Sequence, residues 1–200
     1  MEKTEYRPQR LFTAIALPPT VVETLLTYRP PRHPLLNRSK PAGLHLTLCF
    51  IGPGYVDSVD ELLSDISAAP LQLCINGLGS FSAGSGSRTL WAGINKDPGL
   101  MELRNQVTQK LRPLLHRPGK RIFRPHITLA RCKPGVPAQL VDDFLEQEPP
   151  GELYFEVNEF SLFSSENLPG GSRYTCEKSY PLLPPATTRD IRPVQPDNPA

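Results

Sequence analysis

The chain carries one tetrapeptide pattern twice, His45-Leu46-Thr47-Leu48 and His126-Ile127-Thr128-Leu129. Both copies lie in apolar, strand-like runs, 44–51 and 125–130. Side chains alternate along a strand, so His45 and Thr47 share one face, as do His126 and Thr128. The leucines and the isoleucine between them point the other way, into a core. A single copy would read as the solvated face of a half-buried strand. The second copy repeats its surroundings as well. His126 follows His45 by 81 positions (126 − 45). At that same spacing the helix-like stretch 56–68 is answered by 137–147, and the strand-like run from Leu71 by one from Glu152. Ahead of the motifs, strand 11–17 with helix 20–28 is answered by strand 88–94 with helix 99–115. The period is too long and the copies too few for a solenoid. The pattern predicts an α+β fold of two pseudo-symmetric lobes, each of mixed or antiparallel sheet with helices. Repeated β-α-β-α-β units would surround a central cleft, where symmetry sets the two His-x-Thr strands face to face.

The full layout predicted is strand 10–17, helix 19–28, strand 44–51, helix 56–68, strands 71–80 and 88–95, helix 98–115, strand 125–131, helix 137–147, and strands 152–163 and 172–182. Residues 81–87 read as a flexible hairpin loop and Pro169-Gly170-Gly171 as the last hairpin. The connection 29–43, with four prolines, reads as irregular. Residues 1–183 are expected to form one bilobal domain. The stretch 184–200, rich in proline and poor in apolar residues, is expected to be a disordered tail.

Two hundred residues suit one domain with a substantial core. No run of 18 apolar residues is present, so no membrane helix is expected. The opening residues Met1 to Arg7 lack the apolar region of a signal peptide. Cys49, Cys74, Cys132 and Cys176 show no C-x-x-C spacing, which points to a reducing, cytoplasmic setting. No His or Cys cluster has metal-ligand spacing, so neither a metal nor another cofactor is expected. His33 and His116 are expected at the surface, and nothing calls for an assembly larger than a monomer.

Net charge is only +2, but the positive charge is unevenly placed. Residues 104–124 hold Arg104, Lys110, Arg112, Arg117, Lys120, Arg121 and Arg124 with no acid. Residues 29–40 hold Arg29, Arg32, Arg38 and Lys40, again with no acid. Each stretch leads into one His-x-Thr strand, so both rims of the cleft would be positive, which favours a polyanion such as RNA.

Three segments carry a resemblance: Arg10 to Pro18 (RLFTAIALP), Leu44 to Gly52 (LHLTLCFIG) and Phe123 to Arg131 (FRPHITLAR). Their order, spacing and flanks resemble the bacterial RNA 2′,3′-cyclic phosphodiesterases, also described as 2′-5′ RNA ligases, of the two-histidine phosphoesterase superfamily. The likeness extends over about residues 9–183. It implies metal-independent hydrolysis of RNA 2′,3′-cyclic phosphate ends to 2′-phosphate ends, and reversible 2′-5′ joining of RNA ends. The residues agree with that chemistry. Opening a cyclic phosphodiester needs a water deprotonated on one side and a leaving oxygen protonated on the other. Histidine reaches both protonation states near neutrality. Thr47 and Thr128 suit the non-bridging oxygens as charge builds there. By analogy with the family, His45 is the proton donor and His126 the proton acceptor. The resemblance also implies a base-stacking role for Phe50 and a phosphate-holding role for Arg131. Strict alternation opposes both, because an odd offset from the histidine points to the other face. A bulge or a strand end must re-aim them. Two other readings keep some of these features: a phosphodiesterase for small cyclic nucleotides, and a non-catalytic module that binds RNA ends.

Overall fold

The computed structural model describes residues 7–115, 122–149, 151–168 and 171–183. His116, Arg117, Lys120, Arg121, the Pro169-Gly170 part of the last hairpin and the 184–200 stretch lie outside the described residues. The elements run β1 (Gln9–Ala16), α1 (Pro19–Thr27), β2 (Leu36–Arg38), β3 (His45–Gly54), α2 (Val56–Leu63), β4 (Leu71–Ser82), β5 (Arg88–Ile94), α3 (Pro98–Leu111), β6 (His126–Cys132), α4 (Ala138–Leu145), β7 (Leu153–Val157), β8 (Glu159–Leu168) and β9 (Gly171–Pro181). The strands form one sheet in the order β7-β4-β5-β6-β3-β1-β8-β9, with β2 added on β6.

Every pairing among the described strands is antiparallel. The two lobes meet where β3 and β6 pair through a single residue couple, Leu46 with Ile127. These two residues are themselves 81 positions apart (127 − 46), so the pseudo-twofold axis passes between them. Beyond this couple the strands part, and β2 takes the place beside β6, with Leu36–Arg38 against Ala130–Cys132.

The repeat in space differs from the repeat in sequence. β4 leaves its own unit to pair with β5, and β8 returns to pair with β1. The spatial counterpart of β4, which starts at Leu71, is therefore β8, which starts at Glu159, 88 positions on (159 − 71). The predicted strand 152–163 breaks at Asn158, whose carbonyl accepts the Leu182 amide at 2.8 Å. Its halves, β7 and β8, go to opposite lobes.

Local signals explain most boundaries. Asp97 caps α3 by accepting the Leu100 amide at 2.7 Å, and Pro98 occupies the first helical position. Leu100, Leu103, Val107 and Leu111 form its buried stripe. The helix stops at Leu111 rather than 115, because Pro113 supplies no amide for continuation, and a 3₁₀ turn follows. Helix α2 stops at Leu63 rather than 68, where the Ser64 hydroxyl donates to the Asp60 carbonyl at 2.6 Å. The irregular connection predicted over 29–43 instead contains β2 and a 3₁₀ turn, Pro41–Gly43.

Leu46, Leu48, Ile127 and Leu129 are at most 3% exposed and join the buried faces of α2, α3 and α4 in one apolar cluster. Burial of each such side chain contributes about 1.5–3 kcal/mol. The strands that carry the histidines are thus fixed from behind by the core. Cys74 and Cys132 are buried, whereas Cys176 is exposed despite its strand position; all four cysteines are free.

Candidate active site

The polar faces of β3 and β6 line one cleft of about 1220 Å³, which gathers His45, Thr47, Phe50, His126, Thr128 and Arg131. The Leu46–Ile127 couple fixes their mutual order. His45 and His126 each directly precede a member of that couple, and Thr47 and Thr128 each directly follow one. Both imidazoles and both hydroxyls therefore line the same cleft. Neither threonine hydroxyl is engaged by a protein group among the described residues, so both are available to a ligand.

Phe50 and Arg131 are re-aimed by matched bulges. In β3, Thr13 opposes Cys49 while Ala14 opposes Thr47, leaving Leu48 as the extra residue. In β6, Leu90 opposes Ala130 while Trp91 opposes Thr128, leaving Leu129 extra. Each bulge shifts the alternation by one, so residues at an odd offset from the histidine return to its face. Phe50 is 60% exposed, which removes the reading of it as core. Arg131 is exposed and likewise borders the cleft.

Both imidazoles are oriented by the backbone two residues earlier. Nδ1 of His126 lies 2.8 Å from the Arg124 carbonyl oxygen. A carbonyl only accepts, so Nδ1 carries the proton and Nε2 is left for the cleft. The Gly43 backbone engages His45 and favours its protonated form, as a carbonyl acceptor does. Gly43 and Arg124 are again 81 positions apart (124 − 43).

Aromatic rings surround both histidines, a feature the sequence reading missed. His45 meets Phe12 at 4.9 Å and Tyr174 edge-on at 5.2 Å, with Phe163 at 6.5 Å between ring centroids. His126 meets Phe81 edge-on at 4.8 Å and Trp91 at 6.2 Å. Phe81 belongs to β4 rather than to the predicted loop, which shrinks to Ala83–Ser87. Gly79 makes room for Trp91, since a Cβ there would overlap the indole. The one sequence signal was an aromatic on each flanking strand, Phe12 on β1 and Trp91 on β5. Arg104 of α3 also reaches the cleft, its guanidinium 5.0 Å above the Phe123 ring centre. His33 is partly buried and accepts the Leu35 amide through Nδ1, away from both imidazoles.

These surroundings disfavour positive charge on the rings. Burial holds the His45 pKa down to about 4; the Gly43 backbone opposes this, and Arg131 and His126 add to the lowering. Burial lowers the His126 pKa too, against the Arg124 backbone and with Arg131. In the folded chain His45 stays neutral to about pH 4, whereas an unfolded chain protonates it from about 6.5. The unfolded chain therefore binds more protons in that window. The His45 contribution is complete above pH 6.5 and is lost as pH falls toward 4. His45→Ala should escape this loss. Between about pH 7.5 and about pH 4.5 it should gain about 2 kcal/mol on the wild type. Urea unfolding at both pH values checks this, and parallel losses in the two proteins would show that His45 is not held neutral.

Among the described residues no group of three or more His, Cys, Asp or Glu side chains stands together as a metal-ligand set. Nor is any helix there long and apolar enough to cross a membrane.

A bilobal antiparallel sheet with His-x-Thr strands meeting at its midline is the arrangement expected of a two-histidine phosphoesterase. The profile of the 2′-5′ RNA ligase superfamily matches residues 18–168, and the chain belongs to that superfamily. An RNA 2′,3′-cyclic phosphodiesterase of Geobacillus stearothermophilus is 32% identical over 144 residues, which span 70% of this chain and 45% of that protein. The protein of the same name from Escherichia coli (strain K12) is 30% identical over 183 residues, 88% of this chain and 97% of that one. A crystal structure of E. coli LigT complexed with 3′-AMP superposes with a TM-score of 0.73 at 29% identity, covering 88% of this chain and 99% of that one.

Proposed function

We propose that the chain hydrolyses RNA 2′,3′-cyclic phosphate ends to 2′-phosphate ends without a metal or other cofactor, and that the same site supports reversible 2′-5′ joining. The observation that carries this reading is the symmetric pair of His-x-Thr strands, whose two imidazoles and two hydroxyls line one cleft. The similarity to proteins named RNA 2′,3′-cyclic phosphodiesterase supports it. So do solved structures of E. coli LigT with 3′-AMP and with phosphate.

In the proposed step, His126 Nε2 takes a proton from water as the water oxygen bonds to phosphorus. The bond from phosphorus to the 3′ oxygen breaks, and His45 Nε2 delivers its proton to that oxygen. The product keeps the phosphate on the 2′ oxygen. Thr47 and Thr128 donate to the non-bridging oxygens, Arg131 pairs with the phosphate charge, and Phe50 stacks on the terminal base. The walls of the cleft hold both rings neutral, so the substrate's own negative charge must bring His45 to its protonated state. This is what the aromatic walls contribute: the proton is held weakly and given up readily.

We further propose a monomer acting in a reducing, cytoplasmic compartment, in keeping with four free cysteines. Chelator-treated protein should turn over an RNA oligomer ending in a 2′,3′-cyclic phosphate at the untreated rate. Loss of activity with chelator, restored by a divalent ion, would contradict the two-imidazole scheme. Binding of the oligomer without turnover would favour an end-recognition module, and turnover confined to mononucleotides a small-molecule phosphodiesterase.

A further inference from the structure

A second cavity, of about 720 Å³, opens beside the cleft and shares with it a border that includes Arg131 and Tyr174. Its size matches a ligand of nucleotide scale rather than a single small ion. Its wall is the 29–41 connection, which contributes Arg29, Arg32, Arg38 and Lys40.

This wall is fixed to the catalytic strand. β2 pairs with β6 through Asn37 opposite Arg131 and Arg38 opposite Ala130. Ser39 donates its amide to the Leu129 carbonyl at 2.8 Å and its hydroxyl to the Thr128 carbonyl at 2.6 Å. Arg29 ties the other end down, donating to the Ser39 carbonyl at 3.0 Å. The basic side chains therefore stand at a set distance from Thr128 and Arg131.

The charge is uncompensated. Residues 29–43 contain no acid. Among the described residues, the ion pairs engage none of Arg29, Arg32, Arg38, Lys40 or Arg131. The Arg29 pKa is lowered, by burial first and then by the charges of Arg38 and Arg32. Holding these cations together on a pinned segment costs free energy that a bound polyanion would relieve.

We propose that this cavity seats the phosphates immediately upstream of the terminal cyclic phosphate, so that the protein selects RNA chains over isolated cyclic nucleotides. The inference rests on the function proposed above. In an RNA that ends in a 2′,3′-cyclic phosphate, every other phosphate lies on the 5′ side. In the hydrolytic reaction a second phosphate site next to the cleft is thus filled by upstream nucleotides of the same chain.

The test compares kcat/KM on three substrates: a nucleoside 2′,3′-cyclic phosphate, and a dinucleotide and a tetranucleotide with the same terminus. Wild type should favour the oligomers by about tenfold or more, as expected when upstream phosphates accept hydrogen bonds from arginine. The double variant Arg32→Gln with Arg38→Gln should lose about tenfold on the oligomers and stay within about twofold on the mononucleotide. That retained activity also certifies its fold. Its salt slope on the tetranucleotide should shrink by about 1.4, at about 0.7 per phosphate neutralised. The single variant Arg32→Gln, at an exposed position, should show the same selective loss in smaller measure. A wild type indifferent to length, variants that keep the full preference, or an equal loss on all three substrates would overturn the inference. A wild type that turns over none of the three would instead overturn the proposed function.

Discussion

His45→Ala and His126→Ala should each lower turnover of a 2′,3′-cyclic phosphate RNA end by about 10²–10⁴-fold, the range for one proton transfer. Neither change should unfold the chain. Both side chains stand on the cleft face, while the apolar residues that hold β3 and β6 face the core. The two losses should not multiply in the double variant, because in the proposed scheme the imidazoles serve a single displacement that removal of either disables. The hydroxyls of Thr47 and Thr128, with Arg131, should leave a residual rate above that of buffer. Single-turnover rates on folded variants check this. A variant within a few-fold of wild type would remove that histidine from the mechanism.

The second large effect separates the two roles. A substrate whose 3′ leaving oxygen has a low pKa needs little help from an acid. It should restore much of the loss in His45→Ala, about 10²-fold, and little of that in His126→Ala, whose water still lacks a base. The assignment follows the family analogy, and the charge balance of the cleft tests it hard. His45 is the ring held neutral down to about pH 4, the less ready of the two to arrive protonated. In the proposed scheme the bound phosphate therefore supplies the compensating charge. Rescue of His126→Ala with His45→Ala left inactive would exchange the two roles and leave the rest of the scheme in place.

The paired His-x-Thr strands were legible because alternation along a strand is strict over three residues, and because the second copy repeated the first with its flanks. The lobed antiparallel architecture followed from the same repeat. Less legible was anything that depends on pairing between distant segments. The exchange of β4 and β8 between lobes leaves no local trace, since a strand reads alike whichever neighbour it takes. β2 was hidden because three residues in a proline-rich stretch resemble a loop; its status comes from β6 beside it. Phe50 and Arg131 stood at offsets that simple alternation sends into the core, and only the Leu48 and Leu129 bulges turn them back. The aromatic surround was split among β1, β4, β5, β8 and β9, and no single stretch announced it.

The most direct test of the central claim follows one atom. An RNA oligomer ending in a 2′,3′-cyclic phosphate, incubated with chelator-treated protein in ¹⁸O-labelled water, should give a terminal 2′-phosphate with one labelled oxygen. That result requires attack of water on phosphorus and departure of the 3′ oxygen, the displacement assigned to His126 and His45. A terminal 3′-phosphate, or a cyclic end left intact by the folded protein, would contradict it.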